Sequence, residues 1–446
     1  MSDQEDPKAN AKVIIKPFSI WFVVPRCLGL FAIILPLFAT LRMPELMQNS
    51  DYLTAFYVAG RTVLQGTPGQ LYPSPADTAF FTTAFNTLAH QVLPHMPAAS
   101  TAIYMYPPLV ALLFAPFSVM PPEWSMLAWQ VTSVLAVAAS AWLVAALTDK
   151  KNMSFFWFAF LFLPVFQTLL IGHLGLVCGL LPLLAGFYLL MRGRHAAAGC
   201  VWALLLLKPQ FLPAVLLVSG ALALERRWQC AAGLIGGASL VSVITVLCLG
   251  PDTFAAWLQS FRLSDTIFSN PAYHYPKYLV TCLPGLIVQS VPSSLTKIAK
   301  LASYGLAAFV GLHALWISVR LLRSTKSELA LPFVFLLGLF VLPLVLPHFL
   351  FYDLCCFAAA GMIAFGFTWP HRVGFILRTT CILAWIVLDL YDLMFMSPLF
   401  RFTNPGVVVA VLVLLYVRLV FLAGQIPAIE KDEANATILP DPGHCL

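Results

Sequence analysis

Apolar runs recur along this chain from Phe18 to Phe421 with few charges inside them, and no other feature restricts its fold so strongly. A helix rises 1.5 Å per residue, so about 20 apolar residues cross a hydrocarbon core of about 30 Å. The run from Phe18 to Leu41 is long enough. Others follow at Pro107–Met120, Trp124–Leu147, Phe155–Ile171, Leu174–Met191, Ala196–Leu207, Phe211–Leu224, Gln229–Leu249, Tyr278–Val291, Lys300–Val319, Leu331–Leu346, Leu354–Phe367, Ile376–Met396 and Val407–Phe421. Hydrophobic residues are 60% of the chain and charged residues 10%, against about a quarter charged in soluble domains, so no soluble shell can be built. The pattern predicts an all-α polytopic membrane protein with about 11–13 transmembrane helices.

The chain divides into a cytoplasmic N-terminus (1–17), a first transmembrane helix (18–41), an extracytoplasmic loop with short amphipathic helices lying on the surface (42–106), a transmembrane bundle (107–425) and a polar, disordered cytoplasmic tail (426–446). Lys8, Lys12 and Lys16 precede the first run without a small-residue cleavage site, which predicts an uncleaved helix starting in the cytoplasm. Lys150/Lys151, Arg192/Arg194, Arg226/Arg227, Arg320/Arg323/Lys326, His371/Arg372/Arg378 and Arg418 mark cytoplasmic connections by their positive charge. The connections near His173, Lys208, Asp265–His274, His348–Asp353 and Pro398–Asn404 then face the other side. The Pro107–Met120 run is short and proline-bounded, and this topology requires it to be re-entrant or unusually thin.

The charge pattern excludes several classes of function. Lys and Arg are scattered between apolar runs, giving no nucleic-acid patch. The cysteines show neither C-x-x-C nor His/Cys ligand spacing, and no disulfide framework or metal site is expected. Phosphate-loop, dinucleotide-binding and Asp-x-Asp signatures are missing, so no cofactor is expected. With 33 prolines, spans should break around an internal cavity, because freed backbone groups are tolerated only where protein or a cavity satisfies them.

Polar residues inside such a chain are costly and mark candidate chemistry. Asp51 stands just after the first span, where a carboxylate can serve either as a general base or as a helix N-cap. Lys208, in LLLLKPQFLP, is a cation in a long apolar stretch, suited to an anion or to snorkelling. His348 beside Tyr352 and Asp353 can hydrogen-bond a phosphate or hydroxyl. Arg61 and Tyr57, Tyr72, Tyr104 and Tyr106 suit a sugar cleft or an interfacial belt, and His173, His274 and Lys277 complete the set.

These residues also form a pattern: Asp51-Tyr52, the Ala55–Gly60 turn, Gly66 to Tyr72, Tyr106-Pro107-Pro108-Leu109, Gly172-His173, Lys208-Pro209-Gln210 and Pro347-His348. In it the chain resembles the polyprenyl-phosphate-mannose-dependent mannosyltransferases of glycosyltransferase family 87, over most of its length. It departs from them where Gly172-His173-Leu174-Gly175 replaces the usual Gly-Gln. The resemblance implies a GT-C type glycosyltransferase fold and inverting, metal-independent transfer of a hexose, mannose first. The implied donor is a polyprenyl-phosphate sugar and the implied acceptor a glycolipid or glycan hydroxyl, on the extracytoplasmic side of a bacterial inner membrane and among its lipids. Asp51 becomes the base, with Lys208, His348, Arg61, Tyr52, Tyr106, His173, Gln210, His274 and Lys277 as substrate-binding residues. The competing expectation is a flippase for a lipid or polysaccharide precursor, although no internal repeat of the transporter kind is visible.

Overall fold

The computed structural model describes residues 20–74, 77, 79–148, 154–269, 279–324, 329–395 and 404–438, and among them the chain is almost wholly helical. Six helices are long and apolar enough to cross a membrane: Val23–Arg42, Pro122–Leu147, Gln229–Leu249, Ser293–Ser324, His371–Met394 and Pro405–Ile426. Five apolar stretches of 10–17 residues accompany them, Gly175–Met191, His195–Leu207, Pro209–Leu224, Ala330–Val345 and Phe351–Gly366. The chain is an integral membrane protein with the many-span helical architecture its hydropathy predicts.

Long and short helices have different surroundings. The long ones bury only 22–44% of their apolar windows inside the protein, leaving side chains such as Phe31, Leu135, Leu247, Leu301 and Phe421 exposed for lipid. Ala330–Val345 is instead sheathed by Leu212–Leu224, Thr296–Ser324 and Pro405–Ile438, with residues from Ala330 through Leu344 almost continuously buried. A helix that is apolar all round and too short to span becomes the centre of the bundle.

Proline sets many of the breaks. Pro108, Pro122, Pro164, Pro182, Pro209 and Pro284 stand in the first turn of their helices, where a missing N–H is harmless and the fixed φ is already helical. The expected Phe155–Ile171 span is broken into Ser154–Leu161 and Leu163–Leu170, and the Leu163 N–H freed there donates to the Asp389 carboxylate at 2.8 Å. Pro108–Phe114 is a two-turn helix followed by a 3₁₀ turn at Phe117–Val119, too short to cross a bilayer.

Two expectations need correction. The Tyr52–Gln65 segment does not lie on the surface: Tyr52, Phe56, Tyr57, Val58 and Ala59 are fully buried against Pro108–Phe114 and Pro122–Leu147, with Phe56 stacked on Phe114 and Phe114 edge-on to Trp129. Its Ala and Gly residues leave no polar face wide enough for water. The tail, expected to lose regular structure from Ile426, continues as helix to Ile438.

Candidate active site

Two π-helical openings bring distant residues together. Asp51 immediately precedes one, Tyr52–Tyr57, and the Gly172–His173 turn precedes the other, Gly175–Leu180. Wide π turns re-aim side chains and are frequent at functional sites. The two are pinned by the Tyr52 N–H, which donates to the Ile171 carbonyl at 3.1 Å. Gly172 permits this approach, since its φ is 69° and a Cβ there would stand 2.6 Å from the Cβ of Tyr52. Gly172→Ala should therefore lower the unfolding temperature more than Gly66→Ala does. Gly66 has a similar φ of 72° but nothing within 4 Å of its added Cβ, so it carries only the backbone cost of about 1–2 kcal/mol.

Asp51 does not cap a helix. It has helical backbone angles and no side-chain capping bond, which removes the structural alternative left open by the sequence. Burial pushes its carboxyl up to about 6, with Lys208 opposing the rise and Asp353 adding to it. The carboxyl is thus poised for proton transfer near neutral pH, and the same interactions show that Asp51, Lys208 and Asp353 share one electrostatic neighbourhood.

Lys208 is placed by the proline after it. A residue before proline is driven out of the helical region, and Lys208, at φ −136° and ψ 72°, separates the 3₁₀ turns Ala203–Leu207 and Pro209–Phe211. Its side chain is fully buried and forms an ion pair with Asp353, itself 1% exposed. The second Asp353 oxygen accepts the Leu350 N–H at 2.9 Å. The Lys208 ammonium also lies 5.0 Å from the centre of the Tyr352 ring. This excludes the snorkelling alternative: a charge this deep requires a counter-charge.

An aromatic relay extends from there. His173 stacks on Tyr352 with ring centres 3.8 Å apart, its Nε2 lies 2.8 Å from the Tyr106 hydroxyl, and the Tyr72 hydroxyl donates to the Tyr106 carbonyl at 2.5 Å. Burial holds the Tyr106 phenol well above its usual range, and Asp51 and Asp353 both add to the rise, which ties Tyr106 to the acidic groups. The Nδ1 atom of His173 is buried without a hydrogen-bond partner among the described residues.

The other expected residues divide. His348 adjoins the segment in which Thr281 N–H donates to the Phe349 carbonyl at 2.9 Å. Burial lowers its imidazole to about 4, so it is neutral at physiological pH. Gln210, next to the Lys208 turn, has a buried Oε1 with no partner among the described residues. Tyr52 does not face the site: its ring packs on Phe114 and Trp129 and its hydroxyl is 2.8 Å from the Ser125 hydroxyl. Arg61 is engaged by Tyr57, with its Nε 3.3 Å from that hydroxyl, and no contact joins it to Lys208 or Asp353. His274 and Lys277 lie outside the described residues.

Asp353 and Tyr352 were noticed in the sequence only as neighbours of His348. The signal that singled out Lys208 applies equally to Asp353, a lone carboxylate inside FLFYDLCCF: a buried charge of one sign implies another nearby. The Lys208–Asp353 pair and His173 are sealed from solvent, while Asp51, Tyr106, His348 and Tyr352 around them are partly exposed. Clefts of about 310 and 440 Å³ lie elsewhere, one beside Trp316 and Arg323 and the other among Glu45, Gln48, His95, Glu123 and Trp124.

Fold and site together define a many-span helical membrane protein with an acid, a paired cation and stacked aromatics gathered between interrupted helices. Residues 104–347 match the family model for glycosyltransferase family 87, more than half of the 446 residues. The chain belongs to glycosyltransferase family 87 and is a membrane glycosyltransferase. Compared with curated proteins and with solved structures, it finds no match.

Proposed function

We propose that this glycosyltransferase moves a hexose, mannose first, from a polyprenyl-phosphate donor to an acceptor hydroxyl on the extracytoplasmic side of a bacterial inner membrane. The observation that carries this is the uncapped Asp51 carboxyl in the same buried neighbourhood as the Lys208 ammonium. Asp51 takes the proton of the acceptor hydroxyl as that oxygen attacks the anomeric carbon. The bond from that carbon to the phosphate oxygen breaks, and its electron pair leaves with the polyprenyl phosphate. Attack opposite the leaving group inverts the anomeric centre.

The leaving phosphate gains charge as it departs, so a fixed cation stabilises the transition state more than the bound donor. Lys208 supplies that charge, and the step calls on no metal. His173 Nδ1 and the neutral His348 are suited to hydrogen bonds with donor phosphate or sugar hydroxyls. A lipid-linked donor reaches the partly exposed Asp51, Tyr106, His348 and Tyr352 from within the bilayer.

Purified protein in lipid nanodiscs, given labelled polyprenyl-phosphate-mannose and glycolipid acceptors, should form a mannosylated lipid and one polyprenyl phosphate per transfer. Transfer from a nucleotide sugar but not from the lipid donor would refute the proposal. The pH profile gives a second test. Asp51 must be ionised to accept a proton, so kcat/KM should rise with pH through about 6 and fall tenfold per unit below it. A profile flat from pH 5 to 8 would exclude Asp51 as the base.

A further inference from the structure

The Lys208 ammonium cannot be an open anion trap, because Asp353 is already on it. The pair is sealed from solvent, one Asp353 oxygen is anchored by the Leu350 N–H, and Tyr352 covers the ammonium from another direction while stacking on His173. The 3₁₀ turn Phe351–Cys356 that carries Asp353 is further held by the Thr168 hydroxyl, which donates to the Tyr352 carbonyl at 3.1 Å. Apart from the ion pair, the Lys208 Nζ has no hydrogen-bond partner among the described residues. An ammonium has three N–H bonds, so donor capacity remains for an incoming anion.

We propose that Asp353 is a positioning residue that aims the Lys208 ammonium and, as a fixed counter-charge beside it, limits how tightly the site holds the polyprenyl phosphate product. This rests on the lipid-phosphate donor proposed above. The donor is a phosphodiester with one negative charge, and the product is a monoester approaching two near neutral pH. Like charges a few ångströms apart in a protein interior repel strongly, so Asp353 opposes the product more than the donor. Lys208 alone would bind the leaving group best when it should let go. The Lys208–Asp353 pair keeps the attraction that lowers the barrier and weakens the complex that would block turnover. Asp51, Tyr106, His173, His348, Tyr352, Cys178, Cys282, Cys355 and Cys356 are the other titratable groups in this neighbourhood among the described residues, and Lys208 is the cation facing them.

The test uses full-length protein in nanodiscs and decaprenyl phosphate as the probe, read both as an inhibition constant and as a shift in unfolding temperature. Asp353→Asn should bind decaprenyl phosphate at least tenfold more tightly while kcat falls and the KM for donor changes less. Asp353→Glu should restore part of both. A role confined to holding the fold would weaken product binding or leave it unchanged, and either result overturns the proposal. If Asp353→Asn does not fold, the apolar pair Lys208→Met with Asp353→Leu replaces it. That double variant should fold and lose the thermal shift with decaprenyl phosphate, and a retained shift also overturns the proposal. The two proposals fail separately. Tighter product binding in Asp353→Asn with no mannosyl transfer by the unmodified protein removes the transfer reaction alone. Transfer that depends on Asp51, with product binding unmoved in Asp353→Asn, removes the role of Asp353 alone.

Discussion

Asp51→Asn should leave the protein folded and reduce glycosyl transfer by about 10²–10⁴-fold, the range over which a positioned general base contributes. Asparagine has the shape of aspartate but cannot accept the hydroxyl proton. The fold should not suffer, because the Asp51 side chain makes no capping bond and its burial already penalises the charged form. The thermal unfolding temperature should therefore stay level or rise slightly as activity disappears. A variant that transfers sugar at the original rate would remove Asp51 from the mechanism, and one that unfolds early would show that its role is structural. Donor binding gives a third measurement: Asp51→Asn should hold the lipid donor at least as well as the unmodified protein, since a negative charge near the phosphate has been removed.

The membrane fold was legible because hydropathy is local. Each run announces its helix, and prolines announce the breaks at Pro108 and Pro209 but not the one at Pro164, inside a run expected to be continuous. The site was legible only in part, and the residues show why. Lys208 stood out because a cation inside an apolar run is costly wherever it is placed. Its partner did not, because the ion pair joins two turns far apart in sequence and no spacing rule connects them. Tyr52 was drawn into the site by adjacency to Asp51, yet neighbouring residues of a helix point about 100° apart. Tyr52 turns away to Ser125 and Trp129. The burial of Tyr52–Tyr57 was missed for a related reason. The polar loop around it suggested water, whereas its own aromatic and small residues fit it for the groove between Pro108–Phe114 and Pro122–Leu147. That groove is a property of the assembled bundle and of no single segment.

The largest effect on stability is expected at Lys208. Lys208→Met should destabilise the protein by about 3–5 kcal/mol, because it strands the Asp353 carboxylate in a place where water cannot reach it. The loss should depend on pH. A stranded carboxylate is relieved by protonation, so the variant should recover stability as the pH falls, which can be followed as unfolding temperature between pH 8 and pH 5. Adding Asp353→Leu removes the stranded charge and should restore most of the stability without restoring transfer, since a buried ion pair and a well-packed apolar pair are often of similar stability. This separates two requirements the single variant confounds. If Lys208→Met is as stable as the unmodified protein at pH 8, the ion pair is not sealed from solvent. If the double variant regains transfer along with stability, the leaving phosphate takes its stabilisation from another group, and the neutral His348 and the unpartnered His173 Nδ1 are the nearest alternatives.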